Sequence, residues 1–263
     1  MALFSLFVFG TVWAQSVSVP RLLKAEDLPI EVEPQAVQRQ YNALQAMQLT
    51  RLEYSPHGPV HQVAGDTGVV LPLNALNLKV GDSADQVLQV LKDLLLSEGT
   101  ETLTVTRNSF SATSKRTLRF SQSIRGIPVI GGGLAIGYDP ETRRVSKLTA
   151  HFLPDHSGLP RTPKLSAAEA EQVIPKALAA ASEGDAKEVE ISEGSYLAYY
   201  IVPAEPTAPK IVWAVRVEVE DGIYELFLVD ALSGVIVDRH PLSTSLTRMS
   251  TTRVTPPQTY RMG

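Results

Sequence analysis

The sequence predicts an α+β fold made of two antiparallel-sheet-plus-helix domains in tandem. Apolar residues recur with helical spacing in three separate segments. They alternate with polar residues, as in half-buried strands, over residues 102–152 and again over residues 196–238. Between these two regions lies DHSGLPRTPK, residues 155–164, which is rich in proline and glycine and marks the expected domain boundary.

Composition narrows the classes of function. The chain has 263 residues with 24 Lys and Arg against 28 Asp and Glu, and a net charge of −4 gives no reason to expect a nucleic-acid partner. There is no cysteine, so thiol catalysis, zinc–thiolate sites and disulfide bonds are excluded. Hydrophobic residues make up 44% of the chain, which predicts a packed core rather than wholesale disorder.

The two ends of the chain differ from its body. MALFSLFVFGTVWAQ is uncharged, and its apolar run is shorter than the roughly 20 residues needed to span a bilayer. Val12 and Ala14 occupy the −3 and −1 positions of a cleavage site before Gln15, so residues 1–14 are expected to be a signal peptide; the alternative is a buried first strand. The prediction is a secreted or periplasmic protein without membrane attachment after cleavage. Residues 243–263 are rich in Ser, Thr and Pro and are expected to form a flexible basic tail.

Two helices are predicted in the first half. Residues 15–50 are expected to form an N-terminal helical segment, with its helix running from Pro34 to Leu49. The second helix is expected to begin at Ser83, which has the capping-box spacing to Gln86, and to stop at Gly99. The apolar stripe of this second helix consists of Ala84, Val87, Leu88, Leu91, Leu94 and Leu95.

A third helix is predicted at the start of the second half. Ser166 and Glu169 have the spacing of a capping box, and the helical pattern continues to about Ala181. Pro175 lies inside this pattern, where it removes a backbone donor and crowds the preceding turn. A kink or an early break of the helix is therefore expected there.

Three consecutive glycines, Gly131 to Gly133, raise the question of a phosphate-binding loop. Such a loop needs a helix after its glycines, so that backbone N–H groups converge on the anion. Here Leu134, Ile136 and Tyr138 alternate as in a strand. The glycines are therefore expected to relieve crowding at a bulge or a close backbone approach.

The strands of the second half are expected to form an antiparallel meander with one buried face. Residues 211–220 (IVWAVRVEVE) alternate, and Asp221-Gly222 is typical of a two-residue hairpin turn. The return strand IYELFLVD ends at Asp230, whose side chain is expected to cap the following turn. VIVD, residues 235–238, is expected to be a short last strand backed by the third helix.

No catalytic or metal-binding constellation is predicted. His57 and His61 have i, i+4 spacing, but Gly58-Pro59 between them argues against a helix. The chain contains neither H-E-x-x-H nor G-x-S-x-G, the motifs of many metallopeptidases and of α/β-hydrolases. His151 and His156 are interpreted as ordinary surface histidines.

Two regions resemble known families. LRFSQSIRGIPVIGGGLAIGYDPETRRVSKLTAHF resembles the fungalysin/thermolysin propeptide motif, which predicts a propeptide-like domain over residues 51–155. In that family a PepSY domain follows the propeptide motif. Four later segments of this chain are similar to it: SAAEAEQVIPKAL, LAYYIVP, IVWAVRVEVEDG and YELFLVDALSGVIV. This similarity predicts a PepSY-like domain over residues 164–242. The motif residues, for which a structural role is expected, are Gly126, Ile127, Pro128, Val129, Gly131, Gly132, Trp213, Asp230 and Gly234.

This resemblance implies that the chain is the pro-region of a secreted thermolysin-type zinc metallopeptidase. Such a pro-region acts as a folding chaperone and inhibitor of the peptidase and has no activity of its own. The partner would be a thermolysin-like peptidase domain, either in cis and lost from this chain or in trans. That partner would carry zinc and calcium, and no cofactor is expected in this chain. Two alternatives are a truncated peptidase precursor and a secreted binding module that reuses the propeptide and PepSY folds.

The resemblance also implies that the segment after the PepSY meander reaches the active-site cleft of the peptidase. In this chain that segment is Arg239, His240, Pro241 and Leu242, where the last strand is expected to give way to the tail. Leu242 would suit a hydrophobic specificity pocket, and His240 would approach the metal of the partner and displace its catalytic water. The alternative is that these four residues merely leave the last strand.

Overall fold

In the computed structural model of the chain, the described part contains three α-helices, a short 3₁₀ helix and eleven strands, which confirms the predicted α+β class. The predicted signal peptide, His57 and the predicted tail all lie outside the described residues. The structure describes residues 34–55, 59–110, 115–181, 190–191, 194–202, 208–220 and 222–242.

The described part of the chain begins with a helix and ends with a strand. The helices are α1 (Pro34–Gln45), α2 (Asp85–Leu95) and α3 (Ala167–Ala181), with the 3₁₀ helix at Leu73–Asn77. The strands are β1 (Gln48–Tyr54), β2 (Val60–Asp66), β3 (Glu101–Phe110), β4 (Arg116–Ile124), β5 (Ile127–Tyr138), β6 (Val145–His151), β7 (Glu190–Ile191), β8 (Tyr196–Tyr200), β9 (Lys210–Glu220), β10 (Ile223–Asp230) and β11 (Ile236–Leu242).

The first six strands form an antiparallel sheet in the order β1-β2-β6-β5-β4-β3. Along β4, the buried residues Leu118 and Phe120 alternate with exposed Arg119, so one face of the sheet is apolar. That face packs against α2, which contributes fully buried Leu91 to the same core. The opposite face of this first sheet is polar, as an antiparallel sheet with one solvated face requires.

α2 confirms the predicted apolar stripe but not the predicted start. All six stripe residues are buried. The helix begins at Asp85 after Ala84, which makes no side-chain cap, so the capping box of Ser83 is wrong. Ser83 instead forms a β-bridge with Thr104, because pairing with β3 holds the backbone before the helix in an extended path. The helix ends at Leu96 in the left-handed conformation, before it reaches Gly99.

α1 is shorter than predicted and belongs to the first core. It ends at Gln45 instead of Leu49, and Gln48 already begins β1. Pairing of β1 with β2 overrides the helical propensity of Met47, Gln48 and Leu49, because propensity is a weak preference compared with tertiary pairing. α1 packs on α2 through Gln40, whose Nε2 donates to the Leu94 carbonyl oxygen at 2.8 Å.

The later strands form a second sheet in the order β8-β9-β10-β11, with β7 also paired to β9. α3 covers one face, where Ile174 packs with Val215 and Phe227. The prediction of a single buried face is wrong, because Val212 and Leu228 on the opposite face are also fully buried. Apolar residues stand on both sides of the central strands, so both faces are buried around these residues.

α3 begins as predicted and continues past its proline. The backbone N–H of Ser166 donates to the Glu169 carboxylate at 2.7 Å, and the N–H of Glu169 donates to Ser166 Oγ at 3.3 Å, which confirms the capping box. The expected early break at Pro175 is wrong, since the helix runs without interruption to Ala181. Pro175 lies on the exposed side, where the ring does not disturb the packing of Ile174.

β5 joins the two sheets. Its first part pairs in parallel with β8 through Val129 and Ile130, and its second part pairs with β6. Between these parts the register against β4 shifts, so that four residues of β5, 129–132, stand opposite Gln122 alone. The interpretation of the glycines as a bulge is therefore confirmed, and Gly133 is the tightest position, because a Cβ there would lie 2.2 Å from the Phe120 carbonyl oxygen.

Candidate functional site

The residues predicted to face a peptidase lie on β11, at the edge of the second sheet. Among the described residues β11 pairs only with β10. The expectation that the last strand ends at Asp238 is wrong, because the strand continues to Leu242 and pairs Arg239 with Phe227 and His240 with Leu226. Pro241 is tolerated there because an edge strand can lack one backbone donor. The residues 239–242 are therefore part of the sheet, and their role against a peptidase stays a prediction.

Arg239 is held on the same face of the sheet as α3. Its guanidinium forms an ion pair with Glu225 and lies 5.1 Å from the centre of the Phe227 ring. The hydrogen bond to Glu225 raises the pKa of Arg239. The cation is thus fixed on the surface of the second sheet, next to the free edge of β11.

On the opposite face, Tyr200, Asp238 and His240 form a polar cluster. The Tyr200 hydroxyl donates to the Asp238 carboxylate, and the His240 Nε2 lies 3.4 Å from Asp238 Oδ2. Burial, followed by the hydrogen bond to Asp238 and its charge, raises the pKa of Tyr200 to about 12. The same hydrogen bond is the main cause that lowers the pKa of Asp238. The ring of Tyr200 thus reaches from β8 across the sheet to β11 and anchors the edge strand.

His240 is the residue predicted to approach a metal in a partner. Its side chain is 42% exposed, and its Nε2 is directed toward Asp238 on its own strand. The centre of its ring lies 6.1 Å from that of Tyr200, at an interplanar angle of 75°. To contact a metal held by another protein, the His240 imidazole would therefore have to turn away from Asp238.

The first group of motif residues builds the turn and bulge at the start of β5. Gly126, with a φ of 80°, follows Arg125, with a φ of 52°, in a two-residue turn between β4 and β5. Positive φ at both central positions is typical of a type I′ hairpin turn. Ile127, Pro128 and Val129 begin β5, and Gly131 and Gly132 lie in its bulge.

The second group of motif residues organises the turns around the second sheet. Trp213 Nε1 donates to the Leu165 carbonyl oxygen at 2.9 Å, which ties β9 to the start of α3. Asp230 Oδ1 accepts from the N–H groups of Leu232 at 2.8 Å and Ser233 at 3.1 Å, so the predicted cap is confirmed. Gly234, with a φ of 74°, closes this turn before β11. These residues maintain the fold and leave the edge strand as the candidate surface for binding.

Two buried carboxylates were missed at the sequence level. Asp155 Oδ2 accepts from Thr100 Oγ1 at 2.8 Å and forms an ion pair with Arg125 Nε at 2.7 Å. Glu101 Oε1 accepts the backbone N–H of Asp155 at 2.8 Å, and its other oxygen accepts from Ser97 Oγ at 2.8 Å. The groups that meet here lie far apart in the sequence, so no local sequence pattern predicts their contacts. Because the carboxylate oxygens are engaged by backbone and side-chain donors, they hold the segment after β6 against the start of β3 and the turn between β4 and β5.

The histidines of the described part do not converge on a metal site. The rings of His61 and His151 are 4.7 Å apart, and the His61 Nδ1 lies 2.8 Å from the Ala150 carbonyl oxygen. Burial, and to a smaller extent the charge of His61, lowers the pKa of His151. Burial also lowers the pKa of His156, whose Nδ1 accepts the Gly158 N–H. Within the residues that the structure describes, no three His, Asp or Glu side chains form a group that could hold a metal ion.

Comparisons with known proteins add a fold likeness only. No family model matches the chain, and no curated protein matches it. Among solved structures, the fold is similar to the Bacillus megaterium YpeB C-terminal domain, with 13% sequence identity and a TM-score of 0.35 over 73% of this chain and 76% of that one. A likeness at this level says nothing about function, so the propeptide and PepSY resemblance rests on the sequence motifs. In the described ranges, no helix is long and apolar enough to cross a membrane.

Proposed function

We propose that the protein is a secreted pro-region-like module without catalytic activity that binds a thermolysin-type zinc metallopeptidase and acts as its folding chaperone and inhibitor. The order of the propeptide-like and PepSY-like motifs supports this proposal. The observation that carries it is the position of Arg239, His240, Pro241 and Leu242 on β11, which has β10 as its single partner strand in the described part of the chain. Zinc and calcium would belong to the peptidase, and no cofactor is assigned to this chain.

β11 offers the partner a strand edge. An edge strand presents unpaired backbone N–H and C=O groups on one side, and a partner can add its own strand there. Pro241 lacks an N–H, so such pairing would use the residues before it, 236–240. Arg239 and His240 flank this edge on opposite faces and would contact a partner on both sides of its strand, while half-buried Leu242 would enter an apolar pocket.

Two proline variants test whether the free edge is used. Neighbouring N–H groups of a strand point to opposite sides, so one of Arg239→Pro and His240→Pro removes a bond to β10 and the other removes a donor at the free edge. Arg239→Ala and His240→Ala are the matched side-chain controls. The quantities to measure are the inhibition of a thermolysin-type peptidase by the purified protein and the melting temperature of each variant.

We expect micromolar or tighter inhibition by the unaltered protein. One of the two proline variants should melt at the same temperature as its alanine control, because it lacks only the N–H that points away from β10. That variant should lose both inhibition and binding. Absence of both binding and inhibition by the unaltered protein would reject the peptidase partner. Inhibition that survives in both proline variants would reject β11 as the contact.

Export is part of the same proposal and has its own test. Cleavage after Ala14 should make Gln15 the N-terminal residue of the protein recovered outside the cytoplasm. Mass spectrometry of that material measures the N-terminus directly. Recovery of intact Met1 on protein from the cytoplasm would reject secretion, whatever the result of the binding experiments.

A further inference from the structure

The polar face of the first sheet carries an excess of positive charge. Arg107 on β3, Arg119 on β4 and Lys147 on β6 are all exposed on the face turned away from α2. We call these three residues and the surface between them the basic face. The basic face is positively charged although the chain as a whole has a net charge of −4.

The arrangement of these cations is unfavourable in the isolated protein. Arg107 and Arg119 are direct partners in the β3–β4 register, so their side chains leave the same face next to each other. Like charges directly opposite across two strands destabilise a sheet. Among the described residues, Arg107, Arg119 and Lys147 form no ion pair. An anionic partner would remove this repulsion.

Few acids lie near enough to neutralise the basic face. On the register row of Arg119, the strands continue through Ala135 and Thr149 to Gln62 and then Glu53. Glu53 accepts from the Arg51 side chain at 2.6 Å, so its charge is already compensated on β1. The positive charge of the basic face is therefore available to a ligand.

Between Arg119 and Lys147 lies a cleft of about 600 Å³. Its floor is β5, where Ala135 carries only a methyl group, and its walls carry Arg119 on one side and Lys147 on the other. The two wall strands stand on either side of β5, roughly 10 Å apart, which is the spacing of two strand steps. Its hydroxyl groups come from Thr106, Thr117 and Thr149, and no carboxylate lines it.

We propose that the basic face binds an extended acidic peptide segment of a partner protein. A single extended chain fits a cleft that follows one strand, and its side chains point alternately to the two sides. Carboxylates on such a chain would meet Arg119 on one wall, with Arg107 beside it on β3, and Lys147 on the other wall. This inference concerns the first sheet and does not depend on the peptidase contact proposed for β11 on the second.

The test uses the full chain and a fluorescently labelled peptide in which Glu alternates with Ala. Fluorescence anisotropy should show binding at low salt that weakens as salt rises, while a peptide of alternating Lys and Ala should not bind. Arg119→Glu and Lys147→Glu should each weaken binding by about tenfold or more. Lys79→Glu changes the charge equally at an exposed residue outside the cleft and serves as the matched control.

A neutral variant separates the cleft from the charge alone. Ala135→Leu places a larger side chain on the floor without altering any charge, and it should weaken binding as much as the charge reversals. Melting temperatures establish that each variant is folded, and inorganic polyphosphate and vesicles of anionic lipid serve as competing ligands. Unchanged binding in Ala135→Leu, equal loss in Lys79→Glu, or binding of polyphosphate or vesicles without the peptide would each overturn the proposal.

Discussion

The two sheets of this protein bury their residues in different ways. In the first sheet, β4 alternates between core residues such as Leu118 and exposed residues such as Arg119, so water covers one face. In the second sheet, β9 opens with an apolar run in which Val212 and Val215 lie on opposite faces and both are fully buried. A sheet with one polar face has room on that face for a ligand, whereas a sheet buried on both sides offers mainly its edges.

This difference directs each proposed contact to a different kind of surface. The basic face belongs to the first sheet, where charged side chains stand among small ones without disturbing the core. In the second sheet, β11 is an edge strand among the residues that the structure describes. Variants at the join between the sheets, in the second sheet and at the two capping boxes test this difference.

The join between the two sheets should be the most sensitive position. Gly133→Ala should lower the free energy of unfolding by about 4 kcal/mol, because the added Cβ overlaps a paired backbone carbonyl. The φ of 145° at Gly133 adds strain for any other residue. Gly137→Ala on the same strand is the control, since its Cβ would meet only Lys147, with the Cβ at 3.5 Å and the carbonyl oxygen at 3.9 Å, both ordinary contacts. Urea unfolding of both variants measures the difference, and equal stability would contradict the close approach.

The claim that both faces of the second sheet are buried predicts a large cost for Leu228→Ala. Leu228 has no exposed surface and faces away from α3, and its truncation should cost about 3 kcal/mol. On the polar face of the first sheet, Thr117→Ala should cost about 0.5 kcal/mol or less. Thermal or urea unfolding gives both values. A small cost at Leu228 would mean that the second face is wet in solution.

Tyr200→Phe removes the donor that ties β8 to Asp238. Near neutral pH the variant should lose about 1–2 kcal/mol of stability, because a charged acceptor loses its partner. The folded pKa of about 12 lies above the ordinary value of 10, so the contribution of the hydroxyl is fully present below pH 10 and is lost as pH rises from about 10 to 12. The stability difference between wild type and variant should therefore shrink over this interval.

Tyrosine fluorescence and urea unfolding at several pH values follow this difference. Tyr196→Phe is the control, because Tyr196 is 45% exposed and its pKa is raised by burial alone. A stability difference between wild type and Tyr200→Phe that stays constant from neutral pH to pH 12 would argue against the bond to Asp238. The stability difference between wild type and Tyr196→Phe should also shrink above pH 10, because burial raises that pKa as well, and it shows the effect of burial without a bonded carboxylate.

The smallest effect concerns the two predicted capping boxes. Ser166→Ala should cost about 1 kcal/mol, since Ser166 Oγ and the Glu169 carboxylate satisfy each other's backbone N–H groups. Ser83→Ala should change stability by only about 0.3 kcal/mol, because no side-chain cap is made at the start of α2. Equal losses in the two variants, measured by urea unfolding, would show that α2 is capped after all.

Local patterns predicted the features that depend on near neighbours in the chain. The stripe around Leu91, the capping box at Ser166 and the cap by Asp230 each involve residues a few positions apart, and all were predicted correctly. The length of β11 could not be predicted, since Arg239 and His240 are strand residues only because β10 pairs with them. Propensity alone gives such polar residues no strand preference.

The basic face was missed for a related reason. The pairing of Arg107 with Arg119 follows a register shift in β3, where Thr106 is the extra residue between Val105 and Arg107. Without that bulge, Arg107 would lie on the other face of the sheet. The contact of Asp155 with Thr100 and Arg125 likewise joins segments that are far apart in sequence. Such long-range partners follow from the fold, and the order of residues does not reveal them.

The shared strand β5 affects how the protein folds during its synthesis on the ribosome. Val129 leaves the ribosome about 70 residues before its partner Tyr199, so the whole of the first sheet can be synthesised while half of one side of β5 has no neighbour. An unpaired stretch of this kind is open to pairing with another nascent chain. Slow synthesis between β6 and β8 would lengthen that interval, and we expect codon choice over residues 155–195 to influence how much of the newly made protein reaches its folded form.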